Sequence, residues 1–291
     1  RLMDRQDGAL RLALPKGRMQ DGVLRLMAEA GLPLKVGERD YRPSVNLAGL
    51  DVKVLKPQNI VEMLAAGSRD LGFAGADWVA ELGFELTEVL DTGLDPVRLV
   101  AAAPEAMLEG GRLPARALTV ASEYENITKT WIKKRGRGDD FVRSYGATEV
   151  FPPEDADCIV DNTATGSTLR ANGLAIVDEL MRSTTRLYAN PRALDDPSRR
   201  ERIEHMALLI KSVMNARERV MLEVNVDASR LEALINILPA MKEPTVSRLR
   251  GDSGYAVKVA APRTSLPALI REIRARGGTD IVVTAPCQIV P

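Results

Sequence analysis

Apolar positions along the first part of the chain follow two alternating periods. Residues 10–14 form a short apolar run that stops at Pro15-Lys16-Gly17-Arg18; Val23, Leu24, Leu26, Met27 and Ala30 then fall at helical spacing, closed by Gly31. Val52 and Val54 alternate as a second strand, Ile60, Val61, Met63 and Leu64 mark a helix stopped by Gly67, and residues 71–74 predict a third strand before Asp77 and Trp78. Strand and helix in this alternation predict βαβ units and a largely parallel sheet.

An apolar run over residues 97–103 leads into a second alternation, with strands predicted over 118–121 and 158–160 and a helix over 128–134. Residues 184–189 are a further strand candidate. Asp196, as N-cap, and Pro197, in the first turn, open the longest predicted helix, in which Ile203, Met206, Ala207, Ile210 and Val213 recur at helical spacing. Crossings near residues 98 and 185 give two lobes with a cleft between them: residues 1–98 with 186–214, and residues 99–185.

Residues 215–291 carry the clearest fold signal. Leu222, Val224 and Val226 alternate as a strand, and Leu231, Leu234, Ile235 and Leu238 mark a helix ended by Pro239. Strands over 245–249 and 255–260 flank the turn Gly251-Asp252-Ser253-Gly254. A helix with Leu266, Leu269, Ile270 and Ile273 ends at Gly277, and residues 281–283 form the last strand. This βαββαβ order is the ferredoxin-like unit. So small a domain appended to a two-lobed body fits regulation better than catalysis, although fold order alone assigns no function.

Composition narrows the classes. The 291 residues are 45% hydrophobic, enough for a core in each of two or three domains. With 40 basic against 40 acidic residues the net charge is +0, which gives no electrostatic footprint for nucleic acid or an anionic membrane. Any anion must be held locally. There is no apolar run of roughly 18 residues for a membrane span, and residues 1–10 lack the apolar stretch of a signal peptide, so a cytoplasmic location is expected. Cys158 and Cys287 are expected as reduced core residues. His205 is the sole histidine, so zinc motifs needing several Cys or His ligands are excluded, and it is expected to be structural.

Residues 155–169 hold the most informative chemistry: a strand, a polar loop and a helix start. Small residues at a helix start let a phosphate sit against free backbone N–H groups, and Thr163, Thr165, Ser167 and Thr168 around Gly166 add hydroxyls. The hydroxyl pattern alone also fits an ordinary capped turn. Asp157 and Asp161 shift the balance, because carboxylates before such a loop suit ribose hydroxyls or a Mg²⁺ that bridges a diphosphate. Together they describe a phosphoribosyl site. Lys16 and Arg18 follow the first strand, where parallel sheets place ligands, and suit a diphosphate or triphosphate; a solvated basic helix start is the alternative. Gly75 and Asp77 lie at a strand end where glycine permits close ligand approach, or simply close packing.

These segments resemble one family over residues 10–291. The chain is similar to the ATP phosphoribosyltransferases of histidine biosynthesis in their long form, with a C-terminal ACT-like domain. The resemblance rests on residues 14–18 (LPKGR), 70–79 (DLGFAGADWV), 122–128 (SEYENIT), 155–174 (DADCIVDNTATGSTLRANGL) and 238–249 (LPAMKEPTVSRL). It implies an α/β fold with a two-lobed, periplasmic-binding-protein-like catalytic body and the ferredoxin-like domain behind it. It also implies Mg²⁺-dependent transfer of phosphoribosyl from phosphoribosyl diphosphate (PRPP) to adenine nitrogen N1 of ATP, with release of diphosphate. Asp161, Thr163, Thr165, Gly166, Ser167 and Thr168 would hold PRPP, and Asp157 and Asp161 the metal. Lys16, Gly17, Arg18, Gly75 and Asp77 would meet ATP, with Lys16 and Arg18 also neutralising charge in the reaction. The long form further implies assembly from dimer to hexamer and inhibition by histidine, here at Glu223, Met241, Thr245 and Ala256. Where a small serine is expected before Pro244-Thr245 the chain has Glu243, which points to weaker or altered feedback.

Two other readings account for parts of the pattern. Prephenate dehydratase also joins a two-lobed body to an ACT domain, and Thr185-Arg186-Leu187 approaches its Thr-Arg-Phe signature, but Leu187 replaces the phenylalanine and the effector motif is missing. A non-catalytic solute-binding or sensor protein shares the cleft but does not need a phosphate loop with aspartates.

Overall fold

The computed structural model describes residues 8–37, 41–43, 49–239, 241 and 243–291. The chain divides into two compact units: the described residues as far as Arg25 with those of Leu34–Glu204, and Leu26–Pro33 with those of His205–Pro291. The division falls inside two helices, Gln20–Glu29 and Pro197–Arg217, the second cut lying ahead of the 214–215 boundary expected from the sequence. Among the described residues no helix is long and apolar enough to cross a membrane.

In chain order the elements through the first unit are β1 (Leu10–Pro15), α1 (Gln20–Glu29), β2 (Leu50–Leu55), α2 (Pro57–Ala65), β3 (Leu71–Gly75), α3 (Ala76–Leu82) and β4 (Thr87–Pro104). There follow β5 (Thr119–Ser122), α4 (Glu125–Arg135), β6 (Asp140–Arg143), β7 (Cys158–Thr163), α5 (Ser167–Ala171), β8 (Leu174–Ala189), α6 (Pro191–Asp195) and α7 (Pro197–Arg217). Leu12, Ala13 and Leu14 of β1 and every residue of β3 are buried, the continuous apolar run of strands covered on both faces. Ile60, Val61 and Leu64 of α2 close one face over Ala13, Ala74 and Tyr188. Asp196 caps α7 by accepting the Ser198 amide at 2.9 Å, as its position before Pro197 predicts.

The first unit has one eight-stranded sheet, ordered β2-β1-β3-β8-β4-β7-β5-β6. It is mixed, not largely parallel. β1 pairs in parallel with β2 and β3, and β5 with β6 and β7, but β4 and β8 are antiparallel to each other and to the strands they flank. The cause is the double crossing: the chain leaves the first half through β4 and returns through β8. Both run far beyond the apolar stretches that announce them.

Register along this two-stranded ribbon fixes the cleft. β3 lies on the end of β8, with Gly75 opposite Thr185; β7 lies on the middle of β4, with Thr163 opposite Arg98. Arg98 in turn faces Arg182, and Val97 faces Ser183. The two sets of strands therefore run head-on, and their carboxyl ends converge at residues 182–185. The two-lobed α/β body expected from the sequence is present, and loops from both halves open at this junction, where α/β sheets commonly place ligands.

The second unit contains β9 (Arg219–Val226), α8 (Leu231–Ile235), β10 (Thr245–Arg248), β11 (Tyr255–Pro262), α9 (Leu266–Ala275) and β12 (Thr279–Thr284). Its sheet is antiparallel, ordered β10-β11-β9-β12, which is the ferredoxin-like arrangement read from the sequence. Val220, Leu222, Val224 and Val226 point to one face of β9 and form its core with Leu269 and Ile273 of α9. One expectation is corrected here. Cys158 is buried in β7, where burial pushes its thiol up to about 12, but Cys287 is exposed in the tail after β12 rather than in a core. His205 is exposed on α7, so it fills no core position.

Candidate active site

The first wall of the site is the turn after β1. Gly17 has φ +89°, a conformation that a side-chain-bearing residue adopts only with strain, and Gln20 donates back to its carbonyl at 3.0 Å. The turn leaves Lys16 and Arg18 exposed at the strand's carboxyl end. Lys16 Nζ donates to Tyr41 Oη at 2.5 Å and stands 4.4 Å from that ring's centroid.

Lys16 and Arg18 line a cavity of about 170 Å³ together with Gly75, Asp77, Trp78 and Tyr124. Asn162 of β7 and Ser183, Thr184 and Thr185 of β8 complete it at the junction of the two halves. It is smaller than the roughly 300–1,000 Å³ of ordinary ligand clefts, so a ligand of ordinary size would extend past it. Asp77 is buried in the wall. Its Oδ1 accepts from Ser183 Oγ at 2.8 Å and its Oδ2 from Tyr124 Oη at 2.6 Å. Its own amide donates to Ser183 Oγ at 3.0 Å. Burial, and then the Asp77 charge, raise the Tyr124 hydroxyl well above its ordinary pKa, so it stays a donor. Trp78 stacks on Tyr124 at 4.6 Å between ring centroids.

The second wall is the β7–α5 loop. Gly166 has φ +77° and donates its amide to Thr163 Oγ1 at 2.8 Å, which curls the loop under Thr165, Ser167 and Thr168. Those three are exposed, and Thr165 Oγ1 donates to Ser167 Oγ at 3.0 Å. α5 is only five residues long, so loop amides and hydroxyls, not a long helix dipole, offer the attraction for an anion. Asp161 precedes the loop and accepts the Asn162 amide at 2.7 Å. Burial pushes its carboxyl up to about 6, with the charges of Glu123 and Glu149 adding to the rise.

The structure brings Lys16, Arg18, Gly75 and Asp77 into one cavity wall, with Gly17 in the adjoining turn. Asp161, Thr163, Thr165, Gly166, Ser167 and Thr168 form a second group at the end of β7, outside that wall. Asp157 joins neither. It stands at the amino end of β7, where it accepts from Arg116 Nη2 at 2.9 Å and from the Thr119 amide at 2.9 Å. These bonds hold its carboxyl below the ordinary range, the Arg116 bond first. It is a strap between β5 and β7. Sequence reasoning missed Trp78, Tyr124, Asn162 and Ser183 as wall residues; the run 122–128, prominent in the resemblance, was the available signal for Tyr124.

In the second unit, Met241, Glu243 and Thr245 line a groove of about 450 Å³ with Met221 and Lys258. Glu223 and Ala256 lie outside it. Glu223, on β9, pairs with Lys258 at 2.6 Å, and Ala256 faces Asn225 across the sheet.

A family model described as HisG, ATP phosphoribosyltransferase, matches residues 56–212, across β3, β7 and the β7–α5 loop but not the turn after β1. The chain belongs to the ATP phosphoribosyltransferase family. A second model, the HisG C-terminal domain, matches residues 216–285. An ATP phosphoribosyltransferase of Chlorobium luteolum is 38% identical over 96% of this chain and 97% of its own length. Another, from Pelotomaculum thermopropionicum, is 35% identical over 97% and 99%. Among solved structures, the ATP phosphoribosyl transferase (HisG:HisZ) complex from Thermotoga maritima aligns at a TM-score of 0.61 with 26% identity. It covers 69% of this chain and 98% of its own. Members of this family are pentosyltransferases, and the α/β body with its ferredoxin-like domain fits them.

Among the described residues no group of three or more His, Cys, Asp or Glu is gathered to hold a metal ion. The residues present fit a different arrangement. Asp161 is a desolvated carboxylate with Glu123 and Glu149 acting on it, so a divalent cation shared with substrate oxygens would relieve the cost of its charge.

Proposed function

We propose that this chain transfers phosphoribosyl from PRPP to N1 of ATP, releasing diphosphate, as the first step of histidine biosynthesis. The observation that carries the reading is the loop on which Thr165, Ser167 and Thr168 are exposed around Gly166, a few residues after Asp161, set in a chain of this family. The loop would take the 5′-phosphate, and Asp161 the ribose hydroxyls. Lys16 and Arg18, exposed across the junction, would neutralise the phosphates of ATP or the departing diphosphate.

The reaction asks little of proton-transfer groups. The N1 lone pair forms the new bond to ribose C1′ while the C1′–oxygen bond to diphosphate breaks, and the electron pair leaves with the diphosphate. The transition state is cationic at the sugar, so orientation and electrostatics supply most of the rate. A chain whose single histidine is exposed on α7 is equipped for that. Asp161, once ionised, places negative charge beside the developing sugar cation. Mg²⁺, held by Asp161 with substrate oxygens, would supply charge neutralisation of the diphosphate.

In this reading residues 1–98 with 186–214 and residues 99–185 are the lobes that hold the two substrates, and residues 215–291 are regulatory. The groove at Met241, Glu243 and Thr245 is the proposed place for histidine as effector, with Glu223 and Ala256 nearby on the same sheet. Assembly as a dimer or hexamer, and a cytoplasmic location where ATP is available, belong to the same proposal. The test is mass spectrometry of a reaction with purified protein, Mg²⁺, ATP and PRPP. The phosphoribosyl-ATP adduct is expected, dependent on PRPP. Protein that binds either substrate but yields no adduct would favour a non-catalytic subunit.

A further inference from the structure

The Tyr124 hydroxyl stands between the two halves of the first unit. It donates to Asp77 Oδ2 at 2.6 Å and accepts from Asn162 Nδ2 at 2.9 Å. Asp77 lies in the first turn of α3, directly after the glycine that ends β3. Asn162 lies in β7, and its amide donates to Asp161 Oδ1 at 2.7 Å. A hydrogen-bonded path thus runs from the cavity wall beside Lys16 and Arg18 to the carboxylate that heads the 163–168 loop.

The path is built from fixed parts. Tyr124 is 0% exposed and Asp77 6%. Ser183, on the returning strand, engages both the carboxylate and the amide of Asp77. Trp78 covers the Tyr124 ring. One turn along α3, Glu81 accepts the Asn126 and Ile127 amides at 2.9 Å each, capping α4 where Tyr124 itself supplies no side-chain cap. α3 and α4 are joined at two points, one of them through a hydroxyl that also reaches β7. A buried carboxylate is a poor choice for stability alone, because apolar residues of the same volume often hold a fold as well or better. What it gives here is direction: a charge-assisted bond with a narrow range of lengths and angles.

We propose that Tyr124 is a positioning residue for the transfer, its hydroxyl setting the separation of the two subsites by bridging Asp77 and Asn162. This rests on the reading above, in which PRPP and ATP lie on opposite sides of the junction. Each substrate then binds its own wall without the bridge, but the line from N1 to C1′ depends on it. Both Asp77 oxygens are engaged within the protein, so Asp77 acts on the bridge through Tyr124 and Ser183.

The test is a double-mutant cycle in the full chain, Tyr124→Phe, Asn162→Leu and both, with kcat, KM for each substrate and PRPP-binding stoichiometry by calorimetry. A misplacement on the scale of 1 Å costs on the order of 100-fold, so kcat is expected to fall at least about tenfold. Both KM values should stay within about threefold, and binding at wild-type stoichiometry. The double variant should lose little more than either single, because one bridge is broken in all three. Losses that multiply, a kcat near wild type, or KM increases at constant kcat would each overturn the bridge. If Tyr124→Phe binds no PRPP, Asn162→Leu, which keeps the size of the side chain and leaves the Tyr124–Asp77 bond in place, decides by the same criteria. Wild-type protein that forms no adduct overturns the reaction and the bridge together; wild-type turnover with an unimpaired Tyr124→Phe overturns the bridge alone.

Discussion

Asp157 and Asp161 are four residues apart in extended chain, roughly 13 Å at about 3.3 Å per residue, and they face different partners. Asp157 is engaged by Arg116 and the Thr119 amide, Asp161 by the Asn162 amide at the loop end of β7. The two cannot share one cation, and only Asp161 lies beside the phosphate loop.

Substitution should separate their roles. Asp161→Ala is expected to remove most turnover, at least about 100-fold by analogy with the loss of a group that stabilises transition-state charge, while melting no lower than wild type at neutral pH, because a desolvated carboxylate is removed. Asp157→Ala should leave kcat within a few-fold of wild type but lower stability by about 1 kcal/mol, the worth of the hydrogen bond to the Thr119 amide. The exposed Arg116 pair adds little to that. Steady-state rates with thermal melts check both, and near-normal turnover in Asp161→Ala would show that the site is misplaced.

The loop's shape is set at Gly166. Its φ of +77° costs an alanine about 1 kcal/mol, and an added Cβ would sit 2.9 Å from Arg170 Nη1, the mobile end of a long side chain. The arginine yields, but the strain shifts the loop. Gly166→Ala is expected to raise KM for PRPP several-fold while KM for ATP stays close to wild type. An equal rise in both would mean that the loop does not serve PRPP specifically.

Asp161 also carries a pH signature. In metal-free protein its carboxyl titrates near about 6 against an ordinary 3.8. The native state therefore holds this proton more tightly than the unfolded chain, and the group's contribution to stability is full below the ordinary value and lost as pH rises through about 6. Carbon NMR of the labelled carboxyl should give that midpoint. Glu123→Gln should lower it by removing a like charge, and Mg²⁺ with PRPP should lower it further. A midpoint near 4 in metal-free protein would contradict the desolvated setting.

Local pattern made much of the fold legible. Leu12 and Leu14 and the βαββαβ order after residue 218 follow from periodicities that packing enforces. β6 escaped because Asp140–Arg143 is an edge strand with largely exposed side chains, and the length of β8 escaped because residues 175–182 are interrupted by Asp178, Glu179 and Arg182 and none of them is fully buried. The paired aspartates misled for a simple reason: a spacing of four joins side chains on a helix and separates them on a strand. Tyr124 lies 47 residues from Asp77 and 38 from Asn162, so no local pattern links them. Its motif marked the segment but not the contact.

Glu243 gives the last prediction. Its side chain is exposed on the groove that Met241, Thr245 and Lys258 also line, where related chains are expected to carry a small serine. The Lys258 ammonium is drawn to Glu223 at 2.6 Å, so it offsets only part of the added negative charge. Histidine brings a carboxylate as well as an ammonium group, and a like charge about 4 Å away in a water-rich setting costs on the order of 1 kcal/mol, about fivefold in affinity. Inhibition by histidine should therefore be weak in the wild-type chain and strengthen by roughly that factor in Glu243→Ser, with catalysis in the absence of histidine unchanged. Histidine titrations of the two proteins at fixed ATP and PRPP decide it: identical inhibition curves would mean that Glu243 does not face the effector.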